Sequence, residues 1–193
     1  MSASALLIGT IAFLYPAPTN EVPTVAAIEK HLSQRYPMKN PGASGEHQFK
    51  PGTKIIEIDT PAIRRADSNL RVYRTNLSTG YFEYPQVEVA VAVWMENGIL
   101  KSAECFSPTY TGESPTFIAR LHGLRSKTVA NREQLANEIC DVFSQITHKG
   151  RIVNGRFANE EYRAELWHGK QRWRTVRVDF DSKGAISLVE LIR

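Results

Sequence analysis

The chain has 193 residues, of which 42% are hydrophobic and 23% charged, with a formal net charge of +4. That length can bury a substantial core without disulfides or metals, and the ordinary composition excludes collagenous, low-complexity and charge-dominated disordered chains. Two cysteines make no disulfide framework, and +4 falls short of the charge that dedicated nucleic-acid domains usually carry.

Residues 4–16 (SALLIGTIAFLYP) form an apolar run with no basic residue before Lys30 and no small-x-small cleavage pattern after it. Thirteen residues are too few for a spanning helix, which needs about 20. The run is expected to be a buried strand, which favours a cytoplasmic protein; a targeting or anchoring segment, with export, is the alternative. A helix over about 24–36 follows, with Val25, Ile28 and Leu32 on one side. Pro37 disfavours helix in the residue before it and ends the element.

Residues 40–54 (NPGASGEHQFKPGTK) read as a glycine- and proline-rich surface loop, without the GxxxxGK[ST] order that cradles phosphates. Strands are expected at 55–59, 70–75 and 81–84, with a turn or short helix between the first two. Tyr73, Tyr81, Phe82 and Tyr84 give this part an aromatic character.

The clearest pattern lies at 86–108. Val87, Val89, Val91, Val93 and Met95 recur every second residue, so they share one strand face. Asn97-Gly98 readily supplies the two positive φ angles of a type I′ turn. A flush two-residue hairpin places Met95 opposite Leu100, Val93 opposite Ser102 and Val91 opposite Glu104. Glu104 then falls among valines. Three accounts of it stand: a wet outer strand or a bulge that turns it outward, an acid in an apolar pocket suited to proton transfer, or a buried ion pair.

Ser114-Pro115 places an N-cap residue before a proline, the usual start of a helix, here over about 115–122. A longer helix spans about 128–147, with Leu135, Ile139, Val142, Phe143 and Ile146 forming a stripe and Gly150 supplying the stop. The last forty residues read as a β-meander with strands at 152–157, 162–168, 172–180 and 185–192, joined by Gly169-Lys170 and by 181–184. Together these elements predict a single α+β domain over 1–193. Its largely antiparallel sheet has the hairpin at its centre and the meander as an extension of the same layer, with helices packed on it.

No HExxH, GxSxG, GxGxxG after a strand, paired CxxC or EF-hand loop is present. The five histidines are too scattered to suggest a metal site, and neither a metal nor a cofactor is expected. Cys105 and Cys140 are expected to act as small buried hydrophobes. Charge, however, is uneven: residues 120–177 hold twelve Lys/Arg against six Asp/Glu. Within that span 163–177 (RAELWHGKQRWRTVR) interleaves cations with tryptophans. Strand alternation puts Arg163, Glu165 and Trp167 on one face of the first strand. In the second, Gln171, Trp173, Thr175 and Arg177 share a face opposite Arg172 and Arg174.

Arg163, Trp167, Lys170, Arg172, Trp173, Arg174 and Arg177 are therefore the candidate binding residues, for an acidic protein or a small acidic ligand. The plainer alternative is a solvated sheet face whose charges pair across strands. Two other functions stay open: a small enzyme with a pocket near Glu104 and the tyrosines, and a nucleic-acid binder using the same arginines and tryptophans.

Overall fold

The computed structural model describes residues 22–38, 47–79, 85–106, 115–146 and 150–192. The expectations for 4–16, 40–46 and 81–84, and for Ser114 as a cap, lie outside them. In chain order come α1 (Val25–Arg35), β1 (Ile56–Glu57), α2 (Pro61–Ala66), β2 (Leu70–Ser78), β3 (Gln86–Glu96) and β4 (Ile99–Phe106). Then follow α3 (Pro115–Leu121), α4 (Val129–Gln145), β5 (Gly150–Ala158), β6 (Glu161–His168), β7 (Gln171–Phe180) and β8 (Ile186–Ile192). The fold is α+β, and every strand pair is antiparallel. No helix among the described residues is long and apolar enough to cross a membrane.

The meander does not extend the hairpin's layer. It closes a sheet of its own, β5-β6-β7-β8, beside a first sheet in the order β1-β2-β3-β4. The physical reason is α4, whose buried residues lie on two sides: Leu135, Ile139 and Val142 on one, Ala136, Cys140 and Phe143 on the other. A helix apolar over so wide an arc needs a surface on each flank. Phe143 stacks at a tilt on Phe106 of the first sheet, ring centroids 5.2 Å apart. The same cluster of buried side chains takes in Ala90 and Ala92 from β3 and Tyr162, Ala164, Leu166, Val176 and Val178 from the second sheet. A second core, Ile28 and Leu32 with Val89, Val91, Val93 and Cys105, seals α1 over the other face of the first sheet. Both faces of β3 are thus covered, as its unbroken small and β-branched run implies.

The hairpin turn forms as its residues dictate, with Asn97 at φ 51° and Gly98 at φ 74°. Its register is corrected one residue further in. Met95 faces Leu100, but Trp94 faces Ser102, so Lys101 is a bulged extra residue. Beyond the bulge every side chain of β4 changes face. Ala103 and Cys105 turn to the valine side under α1, and Glu104 lands opposite Ala92 instead of Val91. A flush register would have buried Ser102 and Glu104 there, so the bulge avoids the cost of an unpaired acid in the core.

α4 starts where its sequence places it: Thr128 is extended, and its Oγ1 accepts a hydrogen bond from Asn131 N at 3.2 Å. Gly150 does not stop the helix; it opens β5, and its carbonyl accepts from Ser144 Oγ at 2.9 Å.

Candidate functional site

The second sheet turns Tyr162, Ala164 and Leu166 of β6 inward, leaving Glu161, Arg163, Glu165 and Trp167 on the outer face. Pairing then decides which of the predicted binding residues meet. Arg163 lies between Arg156 and Arg177, an arrangement of like charges that would be destabilising alone. The neighbouring row offsets it. Arg163 binds Glu161, and Arg177 donates from Nε and Nη2 to the two oxygens of Asp179 at 2.9 and 2.6 Å while lying 3.0 Å from Glu161. The hydrogen bond from Arg163 holds the Glu161 carboxyl below its usual range. These two arginines form a charge lattice within the sheet, the plainer of the two expectations for the run.

The remaining five gather at the β6–β7 turn. A bulge pairs Leu166 with Arg174 and Trp167 with Arg172, leaving Trp173 as the extra residue. This corrects the simple alternation, which put Arg172 and Arg174 on one face: Arg172 stands beside Trp167 on the outer face, and Arg174 beside inward-facing Leu166. Arg174 lies over the Trp173 ring, 4.9 Å from its centroid, and Trp173, partly buried, also packs on the core. Lys170 is exposed in the turn, next to Gly169 at φ 61°. Arg151, at the start of β5, lies 5.5 Å from the Trp167 centroid. It was not among the predicted residues, because the sequence places the strand's start at 152 and shows nothing of which residue β6 sets beside it.

Glu165 is the carboxylate built into this cluster. Its Oε2 accepts from Trp167 Nε1 at 2.9 Å and from Asn154 Nδ2 at 3.0 Å, and these bonds hold it ionised below the usual carboxylate range. The indole is thereby fixed in orientation. Arg151, Lys170, Arg172 and Arg174 make no ion pair among the described residues. On the outer face Arg151 and Arg172 thus stand beside Trp167, with Glu165 in the field of Arg172, while Arg174 covers the Trp173 ring at the edge of the inner face. Such a surface can grip carboxylates in bidentate fashion and stack on planar groups, each cation–π contact being worth about 0.5–1 kcal/mol when exposed.

The other predicted chemistry gathers less support. Glu104 is 18% exposed and lies 3.8 Å from Arg35, so it is a half-screened ion pair at a sheet edge. It does not line the clefts described around α2. Tyr81, Phe82 and Tyr84 lie outside the described residues. Tyr73 is buried in the core under α1, which pushes its phenol up to about 12. Burial likewise raises the Cys140 thiol, which leaves it a poor nucleophile. No group of three or more potential metal ligands occurs among the described residues. No protein-family model, curated protein or solved structure matches the chain.

Proposed function

We propose that the chain is a binding domain that engages an acidic partner, a protein segment or a small acidic ligand, at the turn end of β6 and β7. One observation carries this reading: Arg163 and Arg177 are neutralised within the sheet, while Arg151 and Arg172 stand beside Trp167, Arg174 covers Trp173 and Lys170 is exposed in the turn, none of the four making an ion pair among the described residues. Carboxylates suit the cluster better than a polyphosphate backbone does. The patch is small against the charge that nucleic-acid binders display.

The test is a variant carrying Arg151→Ser, Arg172→Ser and Arg174→Ser, titrated with a fluorescent glutamate-rich peptide. Unchanged far-UV circular dichroism with binding weakened roughly tenfold or more is expected, the loss of two or three rim cation contacts. Peptide affinity equal to that of the parent chain sinks the reading. Displacement of the peptide by single-stranded oligonucleotide at low concentration would favour the nucleic-acid alternative instead.

A further inference from the structure

We propose that the cleft between α2 and the first turn of α4 is a separate anion site that takes the phosphoryl group of a small soluble phosphomonoester. The cleft holds about 210 Å³ and is lined by Arg65, Arg125, Ser126, Lys127 and Asn131 over an alanine floor. Among the described residues no carboxylate lines it, and the first turn of α4 contains none.

None of these three cations makes an ion pair among the described residues. Arg65 comes from the last turn of α2, and its Nη2 donates to Gln134 Oε1 at 2.8 Å, a neutral acceptor that orients the guanidinium and leaves its charge intact. Arg125 is fixed through its backbone. The segment 123–126 runs as a short ribbon against the start of β8: Gly123 N donates to Ile186 O, Ile186 N to Leu124 O, and Ser126 N to Gly184 O, at 2.9–3.0 Å. The ribbon approaches so closely that a Cβ on Gly184 would come within 2.4 Å of Ser126 O. Lys127 is exposed at the rim and makes no ion pair among the described residues.

Nearby acids do not line the cleft, although Glu138 shares the field of Arg65. Glu138 Oε2 accepts from Ala62 N and Ile63 N at 2.6 and 3.0 Å, capping α2. Glu160 binds Arg132. Asp181 accepts from Lys183 N and Ala185 N, and shares the field of Arg125 without lining the cleft.

Size and chemistry select the ligand class. Drug-sized ligands fill about 300–1,000 Å³, so this cleft admits a tetrahedral headgroup and a few further atoms. Two arginine forks and a lysine point charge match a phosphate dianion better than a single carboxylate. The site is also remote from the tryptophan cluster. α4 separates them: its seventeen residues span roughly 25 Å, with Thr128 at the cleft and Gly150, the partner of His168, beyond the far end. The two sites can therefore be tested independently.

The experiment follows backbone amide shifts of the full chain during titration with glycerol 3-phosphate at constant ionic strength. Saturable shifts at Ser126, Lys127 and Asn131 are expected, with inorganic phosphate binding at the same place. Arg65→Gln with Lys127→Gln should weaken binding at least tenfold, whereas Arg172→Ser with Arg174→Ser should leave it unchanged. Should the Arg65 variant fold poorly, Lys127→Glu alone, at an exposed position, must still weaken binding severalfold. Identical shifts from chloride at matched ionic strength, undiminished binding by the charge-removed variants, or a response only to phosphatidic-acid vesicles would each overturn the proposal.

Discussion

Asp181 shows how much a single side chain contributes to this fold. Its Oδ1 accepts from Lys183 N at 2.8 Å and Ala185 N at 2.9 Å, closing the turn between β7 and β8 around Gly184 at φ 77°. These bonds, the one from Ala185 foremost, hold its carboxyl below the usual value. A depressed acid stabilises the fold above its unfolded pKa of about 3.9, and that contribution disappears as pH falls through the folded value. In Asp181→Asn the urea midpoint should therefore lie below the parent's near neutrality, and the gap should narrow as pH drops from about 5 to 3. A gap that stays constant over that interval would contradict the assignment. This turn was legible in the sequence, because Asp-Ser-Lys-Gly pairs a short acceptor with a residue free to take positive φ. Glu104 was legible as an anomaly for which a bulge was one of three accounts, and the bulge is what the structure has. Its resolution depends on one inserted residue, Lys101, which no alternation pattern reveals.

Elements formed much as their periodicity dictates, but which strand edges meet was hidden. Apolar spacing gives a strand its two faces and says nothing of its neighbours. Arg163 and Arg177 therefore read as binding residues beside Arg172 and Arg174, and only the β6–β7 register shows the first two bound to Glu161 and Asp179. The same register brings in Arg151, whose strand begins earlier than its sequence signals. Glu161 and Asp179 stand directly opposite each other across the ladder. Replacing both Arg163 and Arg177 with serine would strip these acids of their counter-charges. The thermal midpoint should fall at low salt and recover partly as salt is added, with peptide capture at the turn little altered. Loss of capture without loss of stability would return these arginines to the binding surface.

On the scale of the whole molecule, the sequence did not disclose two sheets, because the breadth of the apolar arc on α4 becomes meaningful only once its flanks are seen. With one buried cluster drawing side chains from both layers, they should unfold together. The three tryptophans test this: Trp94 belongs to the first sheet, Trp167 and Trp173 to the second. Variants keeping only Trp94 or only Trp173 should report coincident urea transitions; separated midpoints would mean two independent units. The bulge in the first sheet, for its part, fixes where the polypeptide can change length. Leu100 and Ser102 already face opposite sides, so excising Lys101 alone would splice two correctly oriented neighbours into a regular ladder. A shortening by one residue anywhere between Ser102 and Phe106 would instead turn part of that edge strand inside out. Position 101 is thus the joint at which this ribbon can tolerate a deletion.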